Sequence, residues 1–192
     1  MHVFCRNPVG NGSAPVIRRA ALDVVAFHDK ALRRKCWFDE SFRQSEDIEC
    51  WTRIAVQGDW AFGLVDAELT KYRVSNEGLS ADTGRQLATW RRFRAKVAIY
   101  APDLDRQAGS LAEAYQLRYL SRRSVRSGKP GAALLLIIDA MRMDQRILRN
   151  EPTRTLITLA AAIAGCAVPA ILFKQFQKLA ISAIALKSII RT

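Results

Sequence analysis

From residue 46 the apolar positions fall at helical spacing. Ile48, Trp51 and Ile54 share one face of a helix predicted over 46–57. Ser45 stands where a hydroxyl would cap that helix, and Gly58 where it would stop. Two runs after it, Trp60 to Val65 and Glu68 to Val74, are rich in apolar and aromatic residues and read as strands, as does the shorter Ala14 to Ile17. Residues 1–13 are loop-like, with Asn7-Pro8 and Gly10-Asn11-Gly12 as turn signals, and residues 20–35 read as a short helix or loop with a basic end. Three short strands make a thin sheet, which calls for partner strands ahead of residue 1. Further on, Leu87, Trp90, Phe93 and Val97 predict a helix over 85–100 that Pro102 ends. Ser110 and Glu113 have capping-box spacing, so a helix is expected from there to about Ser127. Gly128-Lys129-Pro130-Gly131 breaks the pattern, and another helix covers 132–149.

After Asn150-Glu151-Pro152 the pattern turns apolar. Thr155 to Phe173 is 19 residues without a charge, close to the length of a membrane span. It is rich in Ala and Thr and holds Gly165 and Pro169; Lys174 and Lys178 follow, and a second apolar run reaches Ile190 with Lys187 inside it. Short apolar helices with Lys at their boundaries suit attachment at a membrane interface; spanning and soluble packing are the other readings of this tail.

Charge divides the chain in the same places. Residues 1–83 carry 11 basic and 12 acidic side chains, residues 84–154 carry 15 and 6, and residues 155–192 carry 4 and none. The first part is near neutral; the helical part is strongly cationic and would attract an anionic partner. Nucleic acid is not expected, because no groove-reading motif, metal-finger spacing or Gly-aromatic signature is present. Beside an apolar tail, a membrane surface is the expected partner. Cys5, Cys36, Cys50 and Cys166 form no CxxC pair, so a cysteine metal site is not expected and reduced cytoplasmic thiols are. Met1 to Gly12 lacks the apolar run of a secretory signal.

The chemistry-bearing feature is the pair Glu46-Asp47 at the start of the 46–57 helix, where backbone N–H groups and the helix dipole favour negative charge. Acidic residues in a first turn are also ordinary helix-start residues, and the pair alone does not choose between the readings. The surrounding order of motifs does. Gly10-Asn11-Gly12-Ser13, Phe38-Asp39-Glu40, Glu46-Asp47, Trp51-Thr52-Arg53, Tyr72-Arg73 and Leu79-Ser80 follow one another. In that order they resemble the C-terminal half of the catalytic domain of family 2 glycosyltransferases. The helices of 132–149 and 110–127 also look like one tetratricopeptide-type hairpin, but no second copy follows and a solenoid needs three or more units.

The resemblance implies a fold, a reaction and a site. The fold expected is α/β, a partial GT-A-like sheet with helices over 1–83, followed by an all-α region: a basic helical part over 84–154 and an apolar, membrane-associated tail over 155–192. The reaction expected is inverting transfer of a hexosyl group from a nucleotide-sugar donor to a glycan or lipid-linked acceptor. Asp47 would be the base, with Glu46 beside it. Asn11, Gly12, Ser13, Asp39, Trp51, Arg53, Arg73 and Ser75 would meet substrate, Arg73 by neutralising the leaving diphosphate; from the residues alone, Trp51 as core, Arg53 in an ion pair, Asn11-Gly12-Ser13 as a plain turn and Asp39 as a brace of its turn are the other readings. The chain departs from the family in three ways. The nucleotide-sugar half with its Asp-x-Asp motif is expected before residue 1, Ser75 stands about where a metal-holding His is usual, and Cys36-Trp37 replace small residues. A complete member would use Mg or Mn; the chain by itself is expected to bind none and to be inactive without the donor half. The alternative is a non-catalytic basic helical module for membrane attachment or assembly. Either way the expected location is cytoplasmic, peripheral to or anchored in the membrane.

Overall fold

The computed structural model describes residues 2–10, 12–58, 60–67, 69–71 and 82–168. The chain divides into two compact units, Met1–Glu113 and Ala114–Thr192. The first contains α1 (His2–Cys5), α2 (Arg19–Val24), β1 (Phe27–Asp29), β2 (Arg34–Cys36), α3 (Glu46–Gln57), α4 (Thr83–Tyr100) and the start of α5 (Pro102–Arg126). The second contains the rest of α5, then α6 (Pro130–Met143), α7 (Arg146–Asn150) and α8 (Pro152–Ala167).

The core of the first unit is built on α3. Every residue from Ile48 to Ile54 is buried, so the helix is enclosed rather than laid on a surface. Ile48 joins Phe4, Phe42, Trp90, Phe93 and Val97, with the rings of Phe4 and Phe93 meeting edge-on at 5.7 Å. Trp51, Cys50 and Ile54 join Ala21 and Val25 in a second cluster. The apolar positions of α4 read from sequence face the core through Trp90, Phe93 and Val97, and the Asp82 carboxylate caps this helix by accepting the Arg85 backbone N–H at 3.0 Å.

The α/β expectation is overturned. Of the described residues 65% are helical and 4% strand, and the sheet among them is one antiparallel pair, Phe27 against Cys36, His28 against Lys35 and Asp29 against Arg34. Its turn is held by Asp29, whose carboxylate accepts the Ala31 and Leu32 N–H groups at 2.8 and 2.9 Å. Residues 14–17 and 60–65 form no strand, and nor do 69–71, the described part of the third expected run beside Lys71. A strand exists only where its backbone finds a ladder partner, and these segments find none among the described residues. Val16, Leu64, Val65 and Leu69 are all exposed, while Ile17 and Trp60 pack against the Trp51 cluster as parts of irregular segments. Tyr72 to Val74 and Leu79-Ser80 lie outside the described residues.

Helix boundaries were also displaced by proline and by one aspartate. Pro102 starts α5 directly after α4 instead of only ending a helix, because a first-turn position needs no N–H from it. The helix expected from Ser110 therefore begins eight residues' worth of motif earlier, and Ser110 and Glu113 lie inside it. The helix expected over 132–149 is two, α6 and α7, parted where Asp144 accepts the Arg146 backbone N–H at 2.9 Å and bonds its guanidinium. Between α5 and α6 the chain turns through Gly128 at φ +71°, the left-handed conformation that glycine adopts freely. Ser121 on α5 then donates to the Ala133 carbonyl at 2.7 Å across that turn. The buried side chains of the second unit include Leu117, Leu120, Ile137, Ile147 and Ala162. Among the described residues no helix is long and apolar enough to cross a membrane; α8 ends at Ala167, and 169–192 lie outside the described residues.

Candidate functional site

Glu46 and Asp47 occupy the first turn of α3 as expected, but the capping differs from the expectation. Ser45 takes a left-handed conformation, φ 65° and ψ 11°, and its hydroxyl makes no cap hydrogen bond; it serves the helix through its carbonyl, which accepts the Glu49 N–H at 3.1 Å. A non-glycine residue in that region is strained, and the strain sits directly before the carboxylate pair.

Asp47 is held by a short relay. The Gly10 N–H donates to Asn7 Oδ1 at 3.1 Å, which fixes the amide so that its Nδ2 donates to Asp47 Oδ2 at 2.9 Å. The other carboxylate oxygen of Asp47 accepts the Ile48 N–H at 2.7 Å. Gly10 has φ +86°, a conformation other residues adopt only at a cost. Asp47 is half-buried, and these two hydrogen bonds orient its carboxylate. Glu46 is half-buried beside it, and its carboxylate makes no hydrogen bond among the described residues.

Behind the pair, charges on the far side of α3 are locked. Glu49, fully buried, takes the Arg53 guanidinium on both oxygens, at 2.8 and 2.9 Å, and the Lys96 ammonium of α4 at 2.9 Å. Arg53 also donates to the carbonyls of Val25 and Trp37. Lys96 reaches Asp39 Oδ2 at 2.8 Å, and Asp39 accepts the Ser41 N–H at 3.0 Å and its hydroxyl. Burial raises the affinity of Asp39 for its proton, but the Lys96 and Ser41 hydrogen bonds outweigh it, and the carboxyl is held below its usual range. The Cys50 thiol, in the same cluster, is pushed up to about 11 chiefly by burial. Burial also raises Tyr100, whose hydroxyl finds no partner among the described residues.

The residues expected to meet substrate are thus distributed unevenly. Trp51 is 1% exposed, packed edge-on against Phe38 at 5.7 Å, and Arg53 is buried in its ion pair. Both are built into the core. Gly12 and Ser13 are exposed in the turn after the Asn7–Gly10 segment. Asn11, Arg73 and Ser75 lie outside the described residues. Sequence reading missed Asn7, Glu49 and Lys96. Glu49 was legible as the partner four residues before Arg53 on one helix, but Asn7 and Lys96 are brought in from distant segments. Among the described residues no three His, Cys, Asp or Glu side chains come together as a metal site.

No protein-family model, curated protein or solved structure matches the chain.

Proposed function

We propose that this chain serves inverting transfer of a sugar from a nucleotide-sugar donor to a hydroxyl of a glycan or lipid-linked acceptor, with Asp47 as the base. The observation that carries the proposal is the oriented Asp47 carboxylate, held by the Asn7 amide beside Glu46 at the first turn of a helix rooted in the core. A general base needs a fixed position within reach of the proton it takes, and this arrangement provides one. The motif order from Gly10 to Ser80 supports the same reaction class. In the step proposed, the acceptor oxygen bonds to the anomeric carbon and its proton passes to Asp47. The bond from that carbon to the diphosphate oxygen breaks, and its electron pair leaves with the nucleoside diphosphate. Arg73 is assigned to the diphosphate, and Glu46 to the acceptor. Donor binding needs a nucleotide-binding part joined to these elements or supplied by a partner. A divalent cation such as Mg or Mn would help neutralise the diphosphate when bound; no described cluster fits it, and no step here runs through it.

Calorimetric titration with a panel of nucleotide sugars is the first test. A donor that binds is then offered together with lipid-linked acceptors. Asp47→Asn is expected to keep the melting temperature and to lower turnover by about 10²–10⁴-fold, the usual worth of a general base. Equal turnover by the variant would overturn the role of Asp47.

Silence across the panel would favour the second reading, a basic helical module for membrane attachment or assembly. Its support is α8, which exposes Leu156, Ile157 and Ile163 on the same helix as Arg154. Under that reading the chain is peripheral at the cytoplasmic face, its apolar side chains entering the interface and its cations facing anionic headgroups.

A further inference from the structure

In the second unit four arginines lie near one another, two of them on one carboxylate. Arg118 and Arg122 are one turn apart on α5, with Arg126 a turn further on, and α8 brings Arg154 alongside. The carboxylate, Glu151, is already engaged on both oxygens, by Arg118 on one and by Arg154 at 3.1 Å on the other. Arg118 is fixed further: it donates to the Thr155 hydroxyl at 2.8 Å and lies over the Tyr115 ring at 5.1 Å. Arg122 has no hydrogen bond or ion pair among the described residues. It borders an open cavity of about 300 Å³ whose other walls are Arg154, Ile157 and Thr158. Thr158 spends its hydroxyl proton on the Arg154 carbonyl at 2.7 Å, so the polar donors facing the cavity are guanidinium groups.

Arg122, Arg126 and Arg154 are exposed, so water answers part of their charge. Arg122 is held below its ordinary proton affinity, first by burial and then by the repulsion of Arg126, Arg118 and Arg154, with only Tyr119 opposing. Arg118 and Arg154 are paired with Glu151, whereas Arg122 is an exposed cation that no described carboxylate answers. An anion seated between Arg122 and Arg154 relieves that repulsion. Guanidinium forks match the oxygens of a phosphoryl group, which they bind with two parallel hydrogen bonds. The cavity volume admits a group of diphosphate size, and the exposed Ile157 leaves an apolar margin for whatever the phosphate carries.

We infer that Arg122 and Arg154, at the cavity between α5 and α8, form a binding site for a phosphoryl or diphosphoryl group. This site is separate from the carboxylate pair on α3 and does not depend on the transfer reaction proposed for it.

The test uses the full chain and inorganic pyrophosphate, titrated by calorimetry at constant ionic strength with sulfate as the control anion. Pyrophosphate is expected to bind one to one and more tightly than sulfate. Arg122→Gln is chosen because Arg122 has no described partner to lose, so the fold is kept. It is expected to weaken pyrophosphate binding by about tenfold or more, as removal of a charge-assisted hydrogen bond does. Lys30→Gln, an exposed cation in the β1–β2 turn, is expected to leave it unchanged. Equal affinity for sulfate and pyrophosphate, or equal losses in the two variants, would mean an ordinary solvated cationic surface and would overturn the site. Flotation with phosphatidylcholine vesicles, with and without phosphatidic acid, then identifies the source. Capture by phosphatidic acid that pyrophosphate reverses points to a lipid headgroup, and pyrophosphate binding without capture points to a free phosphate compound; either outcome supports the site.

Discussion

At the scale of the residue, the governing feature is Glu49 and the two cations it holds. A buried carboxylate is tolerated only when its charge is answered, and here Arg53 and Lys96 answer it together. Arg53→Ala would strand Glu49 and leave the Val25 and Trp37 carbonyls without their donor. The expected loss is about 3–5 kcal/mol, the cost of breaking a buried pair from one side, read as a fall in the urea midpoint. Arg53→Lys should recover little, since an ammonium cannot span both carboxylate oxygens and two carbonyls. A loss within experimental error would show that the pair is solvated in solution. Cys50, in the same enclosure, sets an alkaline limit. Its folded proton affinity, about 11, lies above the ordinary thiol value, so its contribution is complete below about pH 9 and is lost as pH rises towards 11, where the unfolded thiol ionises first. Melting temperatures should fall over that interval, and less steeply in Cys50→Ala. At about pH 8 an alkylating reagent should label the exposed Cys166 and spare Cys50 until denaturant is added. Equal labelling of both in the native protein would contradict the enclosure.

Between elements the outcome depends on how local the deciding physics is. The helix over 46–57 was legible to the residue, because its apolar spacing and Gly58 act within the segment itself. So was the Trp90-Phe93-Val97 face of α4. The strands over 14–17 and 60–65 were not, since apolar residues declare a strand only if a partner backbone arrives, and none does among the described residues. The cap at Ser45 failed for a similar reason: the chain enters α3 in the left-handed region, which turns the hydroxyl away from the helix N–H groups. Asp47 was legible as a candidate, but its support by Asn7 was not, being a tertiary contact. One element boundary makes a direct test. Gly128 ends α5 at positive φ, with Ser127, Gly128 and Lys129 donating back to Arg123, Val125 and Ser124. A Cβ there meets no atom, so Gly128→Ala isolates the backbone cost from any clash. The expected destabilisation is about 1–2 kcal/mol, measurable as a lower melting temperature of the second unit. No change would mean that the turn relaxes to negative φ without disturbing α6.

For the whole molecule, charge was the property read most directly from sequence, because it needs no fold. The near-neutral residues 1–83 and the cationic residues 84–154 differ by their composition alone. Folding decides how much of that charge remains available. Arg91 and Arg94 are taken up by Glu113 and Asp105, Arg118 by Glu151, and Arg146 by Asp144, whereas Arg122 has no described partner. Membrane attachment, as the second functional reading has it, would therefore draw on an incomplete set of cations and on the exposed Leu156, Ile157 and Ile163 of α8. The two contributions respond differently to salt. Screening shortens the reach of exposed charges from about 10 Å at 0.1 M to about 3 Å at 1 M, while apolar burial is not weakened by it. Capture by anionic vesicles is expected at low salt, with most of the protein released at about 1 M, because three exposed aliphatic side chains supply only a few kcal/mol against the cost of association. Vesicles that retain the protein at high salt would transfer the attachment from the arginines to the apolar face of α8. Replacing Ile157 and Ile163 by Ser would then release the protein where salt did not.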